Sequence, residues 1–386
     1  MRNETVKTVC VYTPYDLVPG GGERYLLTIA EYFISSGCEV FLALEEVYSR
    51  LRLKQMEKEL GLSLEGIRII TYKDAFNSYK GKFDIFIAMG NSLIPSILPH
   101  GRLNFYICQF PFPQDEMRIK ENGVNLYKYD EVIVYSDFVL DNYKKLLKKY
   151  NLLDIPIKVV YPPCGFASVS DLIPSGLIQP EFTGSLTDKI TILTVGRFFT
   201  EGHCKRQDFL IESFIEMVDK YSLDGVEFHI AGSIHPTKDG RDYFTRLQEI
   251  IKDRKDVYLY GNIEVAALKE LYDGADIYWH ATGINVNSTE HPEMLEHFGI
   301  TIVEAMASGC IPIVINKGGP AEIVRDGIDG FCFNSKSELI GYSLRVVRTI
   351  QDINRKEAQN SLRKNAIDRA LKFTKERFYE NIGNLL

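Results

Sequence analysis

The sequence has few cysteines for its length, and their spacing forms no recognisable site. Seven cysteines are scattered over 386 residues, and no two of them make a C-x-x-C motif. This spacing predicts neither a disulfide framework nor a zinc site. We therefore expect a reducing, cytoplasmic compartment, which includes the cytoplasmic face of a membrane.

Long apolar runs and an excess of basic residues are also absent. No window approaches the roughly 20 continuous apolar residues of a membrane-spanning helix. The opening residues, MRNETVKTVCVYTPYD, lack the apolar core of a secretory signal, so neither export nor a membrane span is expected. With 45 Lys+Arg against 52 Asp+Glu, the net charge of -7 argues against a general affinity for nucleic acid.

The sequence does contain an alternation of short apolar runs with longer amphipathic stretches. The first series of runs is TVCVY, EVFLAL, RIITY, DIFIAMG, NFYIC, EVIVYS and KVVYP, and the second is ITILTVG, EFHIAG, VYLYG, DIYWHA, IPIVI and GFCF. This rhythm predicts β-α units and mostly parallel sheets. Residues 165–188, rich in Pro and Gly, separate the two series as a linker does.

The length fits two domains of roughly 150 to 200 residues each. We predict an α/β fold with two Rossmann-like domains, residues 1–165 and 166–369, and a C-terminal helix over 370–386 that packs back on the first. Such sheets bind ligands beyond the carboxyl ends of their strands, so a cleft between the domains is the expected site.

A glycine-rich turn, Pro19 to Arg24, directly follows the first predicted strand and opens the first helix. Free backbone N–H groups and the helix dipole favour an anion at such a position, and Gly20 and Gly21 allow close approach. The pattern is not the G-x-G-x-x-G dinucleotide fingerprint. The alternative is an ordinary tight turn.

The corresponding corner of the second domain carries cations. Arg197 ends a buried strand in GRFFTEGHCKR, and Lys205 and Arg206 stand at the next helix start. Cations fixed at one junction suit a diphosphate; the alternative is a solvated basic surface. No Asp-x-Asp triplet ends a strand, so no metal or other cofactor is expected.

The segment EHFGITIVEAMASGC, residues 296–310, contains two acids: Glu296 stands before a predicted helix, and Glu304 lies on that helix. Ile300 to Ser308 have helical spacing, and Gly309 stands where a left-handed helix end belongs. The amides at the helix start can hold a phosphate, and Glu304, ~7.5 Å further along, can bind the two hydroxyls of a ribose. Glu296 would then face the group beyond the diphosphate. The alternative for Glu304 is an ordinary helix acid.

Together these motifs resemble the retaining nucleotide-sugar glycosyltransferases of family 4. The matching features are the early glycine pair, Gly196-Arg197 with Lys205, the E-x7-E pair with its Phe-Gly and Glu-Ala-Met-Ala segments, and Lys317 to Pro320 followed by Glu322. The segment EHFGITIVEAMASGCIPIVINKGGPAEIV is closest to the branch with the mannosyltransferases of asparagine-linked glycan assembly. The resemblance is dense over residues 190–330 and implies the GT-B fold, two Rossmann-like domains facing each other across a cleft.

The resemblance assigns roles by position. Glu296 would contact the donor sugar, while Arg197 and Lys205 would hold and stabilise the leaving diphosphate, with Arg206 a rival for Lys205. The donor-binding residues it implies are Gly20, Gly21, Arg197, Lys205, Arg206, Phe298, Gly299, Ile300 and Glu304. Gly20 and Gly21 would approach the diphosphate or the acceptor. Where many members have a histidine in the first domain, this sequence has Gln109.

The function implied is transfer of a hexose, mannose first, from GDP-mannose or a UDP-sugar to a glycan or lipid-linked acceptor with retention and without a metal. No side chain is identified as a nucleophile, so same-face attack by the acceptor is favoured. Two alternatives stay open: a nucleotide-sugar epimerase or hydrolase, and a non-catalytic nucleotide-sugar-binding protein.

Two further features have two interpretations each. Residues 141–150, DNYKKLLKKY, place an apolar stripe beside four lysines, which suits either contact with anionic lipid or a solvated helix on its sheet. Trp279 and His280 end the run DIYWHA where the family lines the donor cleft, but His280 can equally be a core histidine.

Overall fold

The chain forms two compact units in a computed structural model that describes residues 6–46, 49–165, 189–352 and 356–385. The first unit is Met1–Gly165 with Glu376–Leu386, and the second is Phe166–Lys375. The predicted linker, residues 165–188, lies outside the described residues except for Gly165.

The first unit is built on a parallel sheet in which each strand is followed by helical or loop crossover segments. Its strands are β1 (Thr8–Thr13), β2 (Glu39–Leu44), β3 (Arg68–Thr71), β4 (Phe83–Ser92), β5 (Gly101–Phe112), β6 (Glu131–Val134) and β7 (Ile157–Val159). Its helices are α1 (Gly21–Ser35), α2 (Arg50–Leu60), α3 (Tyr72–Asn77), α4 (Glu116–Leu126) and α5 (Asp137–Lys149). The strand order β3-β2-β1-β4-β5-β6-β7 reverses direction between β1 and β4, the point where doubly wound sheets bind ligands.

The apolar sequences of the strands match a sheet that is covered on both faces. Five of the six residues of β1 and of β2 are buried, as expected for parallel strands covered on both faces. Helix α1 packs its buried residues, among them Tyr25, Leu26 and Phe33, on the sheet. Ser136 caps α5 by accepting a hydrogen bond from the Val139 amide at 3.2 Å.

The last helix of the chain, α13 (Lys375–Gly383), packs on α1 of the first unit. Tyr379 donates a hydrogen bond to the Glu31 carboxylate at 2.8 Å. Phe378, 1% exposed, meets the Tyr25 ring edge-on at a centroid distance of 4.9 Å.

The second unit repeats the architecture. Its strands are β8 (Ile190–Val195), β9 (Val226–Gly232), β10 (Val257–Gly261), β11 (Ile277–His280), β12 (Ile311–Ile315) and β13 (Phe331–Phe333). Its helices are α6 (Gln207–Tyr221), α7 (Lys238–Ile251), α8 (Val265–Gly274), α9 (Ile300–Ala307), α10 (Pro320–Ile323), α11 (Lys336–Gln351) and α12 (Lys356–Ala370), with 3-10 turns at Pro292–Met294 and Leu371–Phe373. The parallel order β10-β9-β8-β11-β12-β13 reverses between β8 and β11.

Trp279 belongs to the core of this unit. It is fully buried against Phe228, with ring centroids 5.3 Å apart, and its indole donates to the Ser343 hydroxyl at 3.0 Å. The predicted end of α9 is confirmed, because the helix ends at Ala307 and Gly309 has a φ of 82°.

The stripe on α5 packs inward. Tyr143 and Leu147 are buried, and the Tyr143 hydroxyl donates to the Leu93 carbonyl at 2.7 Å. The lysines beside them are exposed. Two members of the stripe are therefore core residues and cannot contact lipid. Across the described ranges, no helix has the length and apolar character to cross a membrane.

Candidate functional site

The candidate site of the second unit lies where its strand order reverses. Gly196 and Arg197 follow the end of β8, and His280 is the last residue of the neighbouring strand β11. Parallel strands end at the same edge of a sheet, so these residues and the loops that follow them converge. The Tyr278 hydroxyl links β8 to α9: it lies 3.2 Å from the Val195 carbonyl, which can only accept, and 2.8 Å from the hydroxyl of Thr301 in the first turn of α9.

At the centre of the site, Lys205 forms an ion pair with Glu296, although the two are 91 positions apart in the chain. Their side chains are only 16% and 17% exposed. The lysine stem lies against Gly196, where a Cβ would be 2.6 Å from Lys205 Cγ. Glycine at this position is what allows the lysine to reach across the end of β8.

Glu296 is held as a carboxylate. Burial alone would raise its pKa, but the Lys205 charge and a hydrogen bond from His280 hold the pKa well below its usual range. His280 Nε2 lies 3.2 Å from Glu296 Oε2, the same oxygen that Lys205 contacts. His280 is 3% exposed, so it is a buried histidine that also belongs to the site.

Two more histidines adjoin this pair. The rings of His203 and His297 are 5.7 Å apart. Burial and the nearby Lys205 charge lower the pKa of His203 to about 4, and burial and the adjacent His203 lower the pKa of His297 to about 3. Both are therefore neutral at pH 7. The sequence analysis did not single out these two histidines. Their positions could have indicated them, because His203 lies two residues before Lys205 and His297 directly follows Glu296.

The three predicted cations have different environments. Arg197 is exposed and makes no ion pair with any described residue. Arg206 instead bonds Asp208 Oδ1 at 3.2 Å and lines a separate cavity of about 330 Å³ that also contains Arg246. The structure thus brings Lys205, and not Arg206, next to Glu296.

Helix α9 carries the second predicted acid. Glu304 is 6% exposed, and its Oε2 accepts a hydrogen bond from the Tyr272 hydroxyl at 3.2 Å. Gly299 precedes the helix with φ 117° and ψ 60°, a conformation that glycine adopts without steric cost. Ile300 is the first residue of the helix.

Phe298, a predicted binding residue, directs its side chain away from solvent. It is 3% exposed, and its ring meets that of Phe373 edge-on at 5.4 Å. The aromatic ring therefore packs in the interior against Phe373.

The motif Lys317 to Pro320 supports the loop that carries Glu296. The Gly319 amide donates to the Glu296 carbonyl at 2.8 Å. A Cβ on Gly319 would lie 2.6 Å from Phe298 N and closer still to its Cα and carbonyl oxygen, and a Cβ on Gly318 would lie 2.5 Å from the Glu296 carbonyl oxygen. Lys317 donates to the Val286 carbonyl at 2.8 Å and thereby anchors the preceding loop.

The glycine-rich turn belongs to the first unit and has its own neighbours. A Cβ on Gly20 would lie 2.7 Å from Glu23 Oε2, and one on Gly22 would lie 2.6 Å from Gln109 Nε2. Glu23 is 8% exposed. A carboxylate and an amide side chain thus adjoin the start of α1. Gly21 begins the helix.

Metal ligands do not cluster in the described ranges: no group of three or more His, Cys, Asp and Glu residues there could hold an ion. Metal-independent chemistry stays a prediction.

Comparison with known proteins adds the family. Residues 178–369 match the family described as glycosyl transferases group 1. This region belongs to that family. The coarser part of the sequence-based resemblance, to glycosyltransferases of this group, is thereby confirmed, whereas family 4 membership and retention stay predictions.

Among curated proteins, the chain is similar to the GDP-Man:Man(3)GlcNAc(2)-PP-Dol alpha-1,2-mannosyltransferase of Yarrowia lipolytica. The two are 27% identical over 198 residues, which is 50% of this chain and 28% of that protein. An uncharacterized glycosyltransferase of Methanocaldococcus jannaschii is 28% identical over 58% of this chain and 56% of its own length. The chain thus spans about half or less of the length of these relatives.

Among solved structures, a glycosyltransferase from Rickettsia africae has a TM-score of 0.71 and 17% identity, with 98% of this chain and 97% of that chain covered. These values establish a shared fold. The predicted α/β class with two Rossmann-like domains of the glycosyl transferases group 1 type is confirmed, and the predicted cleft between them stays a prediction.

Proposed function

We propose that this chain transfers a hexose from a nucleotide-diphosphate-sugar to a glycan or lipid-linked acceptor, with retention of anomeric configuration and without a metal ion. The observation that supports this most directly is the contact between Lys205 and Glu296 at the β8–β11 reversal, with the exposed Arg197 at the same strand end. The family match of residues 178–369 gives independent support.

In this proposal the cations act on the leaving group. Cleavage at the anomeric carbon leaves growing negative charge on the diphosphate, so fixed positive groups help more in the transition state than before it. Lys205 and Arg197 supply that charge, and the amides at the start of α9 supply N–H donors. Arg206 serves this role less well, because Asp208 already neutralises it.

The acids bind the two ends of the donor. Glu296 accepts hydrogen bonds from sugar hydroxyls, and Glu304, oriented by Tyr272, accepts them from the ribose. Because no nucleophile has been identified beside the anomeric carbon, the acceptor attacks the face that the diphosphate leaves, and the departing phosphate takes the acceptor proton.

The acceptor is assigned to the strand ends of the first unit. Glu23 and Gln109 adjoin the glycine-rich turn there, and a carboxylate beside an amide suits the hydroxyl groups of a saccharide. Gln109 stands where the resemblance places a histidine in many members, so no proton transfer is assigned to this position.

Two donors come first in a screen. GDP-mannose is favoured by the printed name of the Yarrowia lipolytica relative. A UDP-sugar is favoured by an Anabaena protein of similar fold, solved in complex with UDP-glucose at a TM-score of 0.66 and 17% identity, with 98% of each chain covered.

The test is incubation of the full chain with each donor, with and without glycan acceptors, followed by NMR of the anomeric proton. Transfer with retained configuration supports the proposal. An isomerised donor would indicate an epimerase, hydrolysis alone a hydrolase, and binding without any product a non-catalytic protein; each of these results contradicts transfer.

We also propose that the chain contacts the cytoplasmic face of an anionic membrane, through a patch between α4 and the end of α5. Val124 and Leu153 are 63% and 72% exposed there. They line a groove of about 460 Å³ together with Lys120 and Lys149. Exposed apolar side chains beside lysines combine insertion with attraction to anionic headgroups, a role that the buried stripe of α5 cannot have.

A further inference from the structure

His280 makes two contacts through one ring nitrogen. Its Nε2 lies 3.2 Å from Glu296 Oε2 and 3.2 Å from the Thr282 hydroxyl oxygen. Its Nδ1 is buried and has no hydrogen-bond partner among the described residues. A buried strand residue with this arrangement has a defined tautomer, which the neighbouring groups determine.

The tautomer follows from the charge of Glu296. An ionised carboxylate only accepts hydrogen bonds, and the ion pair with Lys205 keeps Glu296 ionised. The hydrogen between His280 and Glu296 must therefore be on Nε2. A second proton on Nδ1 would leave a buried donor without a partner, and burial lowers the pKa of His280. His280 is consequently a neutral ring that donates from Nε2.

Lys205 and His280 hold the same oxygen of Glu296 in different ways. Lys205 is a long, flexible side chain with its stem on Gly196, so its ammonium can turn toward a new anion. His280 is fixed at the end of β11 and is 3% exposed. A diphosphate, with more negative charge than one carboxylate, competes with Glu296 for the lysine.

We propose that His280 is a positioning residue: when the donor diphosphate draws Lys205 away, the His280 Nε2–H keeps Glu296 in place with its other oxygen toward the sugar. In the described part of the chain Glu296 Oε1 has no hydrogen bond, so it is available to a sugar hydroxyl. This inference rests on the proposed transfer of a hexose and adds the group that orients the sugar-binding acid.

Three variants of the full chain test the role. H280L removes the donor, and H280Q restores it because the glutamine amide can donate from a similar position. H229Q is a matched control: His229 is a largely buried strand histidine of the same unit, close to Glu227 and outside the site.

With the active donor, we expect H280L to lower kcat by about 10- to 100-fold. This is the size of the effect when a hydrogen-bond partner that orients a metal-binding side chain is lost. H280Q should recover most of that loss, H229Q should match the wild type, and the Kd for GDP and UDP should stay within about 2-fold in all three. Equal losses in H280L and H280Q, or nucleotide binding that weakens as much as kcat falls, would overturn the inference.

A second measurement does not depend on turnover. NMR of the full chain labelled with ¹⁵N-histidine, with the His280 signals assigned by their loss in H280Q, reports which ring nitrogen carries hydrogen. We expect a neutral ring protonated at Nε2, with and without GDP. A ring protonated at Nδ1 would reject the inference even if the chain transfers sugar, whereas an Nε2–H ring in a chain that transfers none would reject only the proposed function.

Discussion

Substitution of Gly319 by alanine should destabilise the second unit, although alanine fits the backbone conformation at this position. Gly319 has φ −57° and ψ −38°, which alanine adopts readily, so by itself the change would stabilise by about 0.4 to 1 kcal/mol. The new Cβ, however, would lie 2.6 Å from Phe298 N and closer to two other backbone atoms. Backbone cannot rotate away as a flexible side chain can.

The size of the effect follows from overpacking. Forcing a methyl group into a packed site costs about 1 to 3 kcal/mol, and the contacts with backbone place the cost at Gly319 near the upper end of this range; subtracting the ~0.4 to 1 kcal/mol gained from reduced chain freedom leaves a net destabilisation of about 2 kcal/mol. For a unit of this size that lowers Tm by about 4 to 8 °C. The Gly319 amide also bonds the Glu296 carbonyl, and a displacement near 1 Å at that loop would lower the transfer rate by about 100-fold.

Gly341 provides the matched control. It lies within α11, and a Cβ there meets nothing within 4 Å, so G341A should raise stability by about 0.5 to 1 kcal/mol. Trp279 is the single tryptophan and lies in the core of this unit, which makes its fluorescence a specific probe of unfolding. If G319A and G341A gave the same Tm, or G319A kept the wild-type rate, the packing argument would be wrong.

Three other predictions concern charge and surface. Glu296→Gln should abolish transfer but tighten GDP or UDP binding by about 5- to 10-fold, because the lysine that pairs with it is released for the diphosphate; weaker binding by calorimetry would contradict this. On lowering the pH from 7 to 5, the free energy of unfolding should fall by about 2 to 4 kcal/mol, because the unfolded chain takes up protons near pH 6.5 whereas folded His203 and His297 take them up only near 4 and 3. Urea titrations should show a smaller fall when both are replaced by asparagine. Leu153→Asp should reduce sedimentation with anionic vesicles, whereas the equally exposed Leu51→Asp should not; equal pelleting of both would exclude the α4 patch.

The sheet architecture could be predicted because its physical signal is local. Each predicted run overlaps an observed strand, and the runs of β1, β2 and β12 are the most apolar because burial on both faces leaves little room for polar residues. The helix whose start was predicted at Lys205 and Arg206 is α6, which spans Gln207–Tyr221. The left-handed Gly309 was also predictable, because few other residues tolerate that conformation.

The choice between Lys205 and Arg206 could not be made from the sequence. The two are adjacent and carry the same charge, but Arg206 has a φ of 55°, and this left-handed residue sends consecutive side chains to different neighbours. The residue types Lys and Arg do not predict a left-handed backbone conformation at position 206. The same limit applies to Glu23, whose contact with Gly20 depends on how the side chain folds back over the turn.

The contacts of His280 were also beyond local reasoning. Its partner Glu296 is 16 positions away and belongs to a loop whose path is set by Gly319, further along the chain. The stripe on α5 shows the converse case, since an amphipathic pattern specifies that one face is apolar but not whether sheet or lipid covers it.

The return of the chain to its first unit affects how the protein can be divided. Residues 376–385 follow the second unit in the chain, yet Phe378 and Tyr379 complete the packing around Tyr25 and Glu31 of the first. A fragment ending at residue 165 would therefore leave an uncovered aromatic surface on α1 and should aggregate unless a peptide carrying the last helix is added in trans. A change in residues 376–385 would likewise act on the first unit, although the whole second unit separates the two segments along the chain.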